Sequence, residues 1–229
     1  MTGLFESLKA AAAPSWRAYT EHDFVTRLGA GTLPQAAFRT YLVQDYLFLI
    51  QFARAWALAA YKGETLADIR RGAAGMSAIC DQEMALHVAF CRDWGIPEAE
   101  MQAAPEASQT LAYTRFVLER GMAGDLLDLY VALAPCIIGY GEIGRALGGE
   151  ALDGIGLAPG NPYRAWVEMY AGADYQAVAA DHVAALDDLF ARFGNAARMT
   201  SLARTFDQAT RLEADFWQMG LDAADSGAA

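Results

Sequence analysis

The apolar residues of this chain recur at the helical period almost from end to end. No run of β-branched residues alternates with polar ones, and no Asn-Gly hairpin turn interrupts the pattern. A chain with this one periodicity can bury its apolar stripes only by packing helix on helix. Breakers cut it into about eight helical segments, at residues 29–34, 63–65, 94–97, 104–105, 121–124, 148–162, 172–174 and 193–198. Pro34 stands where a first helical turn accepts proline. The expected class is therefore all-α: a single-domain multi-helix bundle over residues 1–222, with a small, polar, flexible tail at 223–229. No repeat and no linker marks a second domain.

The balance of charge excludes several function classes. The chain has 229 residues, 17 Lys and Arg against 28 Asp and Glu, and a formal net charge of −11. With 55% hydrophobic residues it is not a disordered chain. The acidic balance opposes nucleic-acid binding, which needs a basic face. Three cysteines make no disulfide framework. The first sixteen residues include Glu6 and lack a basic leader, so no targeting signal is expected. Residues 42–61 are apolar but carry Gln44, Asp45, Gln51 and Arg54, and the apolar run 129–141 is too short to cross a bilayer. No membrane partner is expected, and the cytoplasm is the expected location.

In a helical bundle, sites are built from core-facing side chains, so polar residues on apolar faces are the candidates. On the helix of residues 34–61, Arg39, Gln44, Gln51 and Arg54 share a polar sector, opposite Phe38, Tyr41, Phe48, Phe52 and Trp56. Asp45 falls in the middle of that aromatic face. A buried carboxylate is costly unless paired, so it either bonds a neighbouring helix or serves a ligand. The last long helix repeats the pattern, with Glu213 among Leu202, Phe206, Ala209, Trp217 and Gly220. Residues 125–147 are apolar on nearly every side and contain Pro135, which removes a helical hydrogen bond and tends to kink the helix. Cys136 follows, with Tyr140 one turn later. A cysteine there is ordinarily an inert small hydrophobe, and to react it needs a neighbour that takes its proton.

Cys80 and Cys91 are eleven residues apart, on one face of the third helix and about 16 Å apart along it, too far to bridge. Both are expected to be packing residues. Glu83 and His87 are spaced to meet on one helix face. No Glu-x-x-His di-iron signature, CxxC, HExxH, P-loop or GxGxxG motif is present.

Four ordered segments carry a resemblance. They are residues 22–55 with Gln44-Asp45-Tyr46 at their centre, LAPCIIGYGEIG (133–144), NPYRAWVEMYAG (161–172) and TRLEADFWQMG (210–220). Together they resemble the TenA / thiaminase II family of the haem-oxygenase-like all-α fold, over almost the whole chain. The resemblance implies Cys136 as nucleophile and Glu213 as the group that protonates the pyrimidine ring nitrogen. It implies Asp45 as the partner of the ring amino group, and Phe48 and Tyr140 as the residues that sandwich the ring. Tyr113 and Tyr163 would complete the pocket with hydroxyl groups. The implied reaction is hydrolysis of 4-amino-5-aminomethyl-2-methylpyrimidine to the 5-hydroxymethyl compound and ammonia, with some members cleaving thiamin as well. Glu213 must then donate a proton near neutral pH, and its apolar face pushes its pKa the required way. The family implies no metal or other cofactor, a small aminopyrimidine substrate as partner, and a homotetramer.

Two other readings stand beside this one. A metal-dependent oxidase of the same fold would draw on Glu83, His87, Glu142, Asp181 and His182, but three histidines in the whole chain make that set thin. His22, placed before a helical run, is expected to cap it or to lie on the surface. A regulatory or pyrimidine-binding protein without turnover is the other; the charge and the lack of a helix-turn-helix signature oppose direct DNA contact.

Overall fold

Gly and Pro punctuation sets the helix ends. The computed structural model describes residues 3–149 and 157–227. Among them are twelve α-helices, one π-helical turn and one 3-10 turn, and no strand, so the all-α class expected from the periodicity holds. The expected break at 148–162 lies partly outside the described residues.

The chain forms two compact units, Met1–Pro34 with Tyr130–Gln218, and Gln35–Leu129 with Met219–Ala229. Each is assembled from two separated stretches, so neither could be cut from the sequence at a linker.

The first unit holds α1 (Leu4–Ala11), α2 (Ala13–Thr20) and α3 (Asp23–Ala30). It also holds most of α9 (Leu126–Leu147), α10 (Arg164–Ala171), α11 (Ala173–Phe193) and most of α12 (Met199–Asp225). Its core is α9, where Val131, Ala132, Leu133 and Ala134 are fully buried. The helix runs unbroken through Pro135, whose carbonyl accepts the Tyr19 hydroxyl at 3.4 Å. Aromatic rings surround it: Trp217 stacks on Phe24 with centroids 4.8 Å apart, and Trp16 on Phe206 at 5.4 Å. Gly144 lets α10 approach, since a Cβ there would lie 2.5 Å from the Tyr170 carbonyl carbon. At 22 residues α9 is longer than its most apolar run and apolar enough to cross a membrane by length and composition, contrary to the sequence expectation. Its apolar window is 83% buried, the pattern of a core helix.

The second unit holds α4 (Gln35–Lys62), α5 (Leu66–Ser77), α6 (Met84–Asp93), α7 (Glu98–Ala103) and α8 (Ser108–Ala123). A capping box starts α5: Thr65 Oγ1 accepts the Asp68 N–H, and the Asp68 carboxylate accepts the Thr65 N–H. Gly72 and Gly75 bring α5 onto α4; a Cβ on Gly72 would lie 2.4 Å from the Ala60 nitrogen, and one on Gly75 2.5 Å from the Trp56 ring. Between α5 and α6, with no break in the chain, lies the π-helical turn Ala78–Glu83.

One expectation is corrected here, that Cys80 and Cys91 are both packing residues on one face. Gln44, part of the polar sector of α4, is 7% exposed, and the connection from α7 to α8 covers it. Its amide donates to the Pro105 carbonyl at 3.0 Å and accepts from the Ala107 N–H at 2.9 Å and the Thr110 hydroxyl at 2.7 Å. Cys80 and Cys91 do not share an environment, since Cys80 is exposed and Cys91 buried. Cys80 lies inside the π turn, whose wider winding breaks the three-turn repeat that would have aligned the two.

Candidate active site

In the first unit, α9 places Cys136 and Tyr140 one turn apart. Every residue from 129 to 141 is buried except Cys136, which is half-buried. A half-buried cysteine in an otherwise buried stretch is more open to a small molecule than a fully buried packing cysteine. The Tyr140 ring is fixed by three others, with centroids at 4.8 Å from Tyr170, 5.3 Å from Trp217 and 5.8 Å from Trp166.

On α12, Glu213 is 2% exposed and lies one turn before Trp217, among the apolar residues expected around it. The Tyr140–Trp217 contact therefore joins the α9 face that carries Cys136 to the α12 face that carries Glu213. Within this unit α9 and α12 meet through that ring contact.

Tyr163 is buried just before α10. Its N–H donates to Asn161 Oδ1 at 2.8 Å and its hydroxyl to the Leu33 carbonyl. Burial raises its phenolic pKa. The hydroxyl expected to point at substrate gives its hydrogen to the backbone, and what it offers elsewhere is an acceptor oxygen.

In the second unit, α4 carries Asp45 and Phe48. Asp45 is 8% exposed. Burial pushes its carboxyl up to about 7, and the Tyr41 hydroxyl, which donates to Oδ2 at 3.5 Å, opposes that rise. His87 on α6 faces the same oxygen, with Nδ1 at 3.5 Å. The other ring nitrogen, Nε2, lies 2.9 Å from the Leu42 carbonyl. Burial lowers the His87 pKa, partly offset by that backbone bond. Glu83, the last residue of the π turn, is raised to about 7 by burial and then by the Asp45 charge. Cys91 is driven up to about 12 by burial and the Asp45 charge, with Arg39 pulling the other way, so it stays an inert thiol.

Phe48 packs against Tyr113 of α8 at 5.2 Å and Phe52 at 5.5 Å. A shallow open cleft lies beside this pair, lined by Phe48, Gln51, Phe52, Ala55, Thr114 and Val117. Asp45 is not among its lining residues.

Sequence reasoning found Glu83 and His87 as a spacing but not their link to Asp45. The π turn, invisible to a 3.6-residue template, is what separates the two pictures. The residues of the metal-oxidase reading are dispersed or engaged. The Glu142 carboxylate accepts from Lys9 Nζ at 2.6 Å and Trp16 Nε1 at 3.0 Å, and His182 stacks on Tyr130 with centroids 5.0 Å apart. Among the described residues no three His, Cys, Asp or Glu gather as a metal set. His22 caps α3, with Nδ1 accepting the Phe24 N–H.

Known proteins match this chain along nearly its full length. The TENA/THI-4/PQQC family model matches residues 9–223. An uncharacterized protein of Haemophilus influenzae is 39% identical over 221 residues, 96% of this chain and 100% of that one. An aminopyrimidine aminohydrolase of Halalkalibacterium halodurans is 36% identical over 214 residues, 93% of each chain. A crystal structure described as a TenA family transcription regulator, from Silicibacter sp. TM1040, aligns with a TM-score of 0.88 at 48% identity, covering 95% of this chain and 96% of that one.

Proposed function

Because the chain belongs to the TENA/THI-4/PQQC family and is an enzyme, a hydrolase of thiamin-related pyrimidines, we propose that it converts 4-amino-5-aminomethyl-2-methylpyrimidine and water to the 5-hydroxymethyl compound and ammonia. Thiamin, which presents the same pyrimidine, is the second substrate. The observation that carries this reading is the half-buried Cys136 in an otherwise buried stretch of α9, on the face joined through Tyr140 and Trp217 to the Glu213 face of α12.

The residues have the chemistry the reaction needs. Glu213 gives a proton to a ring nitrogen, which makes the adjacent ring carbon electrophilic. The Cys136 sulfur forms a bond to that carbon, splitting one hard displacement into two easier steps. Ring electrons then break the bond between the exocyclic methylene and its amine, which takes up the proton given off by the thiol and leaves as ammonia. Water adds to the methylene and gives up a proton, which returns to the sulfur as the C–S bond breaks, and the proton on the ring nitrogen returns to Glu213. Asp45 accepts from the ring amino group. Phe48 and Tyr140 each offer an aromatic face to a flat ring, worth about 1 kcal/mol beyond the buried area. Tyr113 and Tyr163 supply phenolic oxygens.

The protein acts in the cytoplasm as a homotetramer. The exposed Tyr61 (87%) and Met122 (68%) support apolar contact with further copies. Light scattering at micromolar concentration checks the subunit number.

The description of the Silicibacter relative favours a second reading, a regulator without turnover. The −11 charge opposes direct DNA contact by such a protein. Ammonia release from the aminomethylpyrimidine decides. Release by the parent and none by Cys136→Ala supports the hydrolase; no release by the parent, with tight pyrimidine binding, supports the binder.

A further inference from the structure

Proton placement around Asp45 is constrained by one fixed bond. Leu42 O can only accept, so the His87 Nε2 that lies 2.9 Å from it carries a hydrogen. In a neutral imidazole the other nitrogen, Nδ1, is then a bare acceptor. That nitrogen stands 3.5 Å from Asp45 Oδ2, with both side chains about nine-tenths buried, at 9% and 11% exposure. Two acceptors facing each other in a dry site repel, unless one proton lies between them. It sits on the carboxyl, giving a neutral pair, or on the imidazole, giving an ion pair.

We propose that His87 is a positioning residue for Asp45: the two share a single proton, and its location sets whether Asp45 meets a pyrimidine as a hydrogen-bond donor or as an acceptor only. This rests on the aminopyrimidine reading above. A neutral Asp45 matches an aminopyrimidine edge, its carbonyl oxygen accepting from the amino group and its hydroxyl donating to the ring nitrogen beside it. An ionised Asp45 accepts from the amino group but repels that nitrogen's lone pair. Passing the proton from one residue to the other needs no outside acid, because it stays within the pair.

Burial favours the neutral arrangement, and the directions agree: the carboxyl is pushed up and the imidazole down. The other groups within the unit that bear on Asp45 are Tyr41 on α4, which donates to it, Glu83 on the π turn, and Cys91 on α6 with Arg39 beside it. Glu83 adds a negative charge when ionised and so favours keeping the proton on the pair. Tyr41 favours releasing it.

The experiment is nitrogen-15 NMR of the three histidines in the intact protein, His22, His87 and His182, with His87→Gln used to assign the His87 signals. In the parent, His87 is expected as the Nε2–H tautomer. In Asp45→Asn, an isosteric change, its titration midpoint is expected to fall by about one pH unit or more, because the carboxyl that supports its charged form is gone. His87→Gln still offers Leu42 a donor and tests the pair from the other side, by carbon-13 NMR of Asp45. There the carboxyl midpoint is expected to move by a similar amount.

Binding of the hydroxymethylpyrimidine between pH 5.5 and 8.5 gives the functional arm. The parent is expected to change affinity about tenfold across that range, and His87→Gln to lose most of that dependence. A His87 midpoint unchanged by Asp45→Asn, or an Asp45 midpoint unchanged by His87→Gln, overturns the shared proton. An unaltered pH profile of binding in His87→Gln overturns the positioning role. If the parent binds no pyrimidine while both midpoints shift as expected, the functional reading fails and the proton sharing stands.

Discussion

Asn161 in the first unit and Gln44 in the second are buried amides with the same task. Asn161 donates to the Leu28 and Gly29 carbonyls and accepts the Tyr163 N–H, holding the approach to α10 against the end of α3. Gln44 holds the segment before α8 against α4 through Pro105, Ala107 and Thr110. Around these clamps the two units diverge. Cys136 lies in a buried stretch of apolar residues and glycines, residues 129–141, and what distinguishes it there is exposure. Asp45 lies among Glu83, His87 and Tyr41, and what distinguishes it is how few protons the group can hold. One region is specified by shape and the other by proton count. They should therefore fail under different stresses.

The sharpest division is expected from Cys136→Ala. Turnover falls by about 10⁴ or more, while affinity for the hydroxymethylpyrimidine stays within about threefold, as kinetics and calorimetry would show. Comparable losses in both would mean that the thiol binds and does not react. The second effect is a pH dependence confined to the Asp45 region. Asp45 and Glu83 both have folded-state pKa values raised to about 7 from 3.8 and 4.5. Their protonated forms fit the fold, so the stability they contribute is present below pH 4 and is lost as pH rises towards 7 and above. Asp45→Asn is expected to remove part of that loss, on the order of a few kcal/mol, in denaturant unfolding at pH 4.5 and 7.5. Equal slopes for parent and variant would remove the contrast.

Shape is tested by Gly144→Ala. Its Cβ would meet the backbone of α10 rather than a movable side chain tip, so about 2–3 kcal/mol of stability is expected to be lost at every pH. The smallest effects are expected where the units agree. Asn161→Ala and Gln44→Ala each leave buried backbone groups without the amide and should each cost about 2 kcal/mol, within about 1 kcal/mol of one another. A large difference between them would mean that one loop is held by something else.

Much of this was legible in the residues, for physical reasons. Gly favours ending a helix where no packing holds it, so Gly63 and Gly172 marked the end of α4 at Lys62 and the gap between α10 and α11. Glu213 stood out because an acid on an apolar stripe needs an explanation, and it is indeed buried. The clamp made by Gln44 was not legible because periodicity sees only one helix, and the side of α4 it occupies is covered by chain sixty residues later. The Asp45–His87 approach was illegible for a different cause. It depends on helical phase after a turn wound differently from its neighbours, and no single residue announces that turn.

The turn Ala78–Glu83 takes one residue more than an α turn needs for the same rotation. Deleting one residue from it is therefore expected to restore ordinary winding and to leave His87 facing Asp45. The same deletion inside α6, between Met84 and His87, has no wide turn to absorb it and would swing the histidine by about 100°, leaving an acid with nobody to pass its hydrogen to.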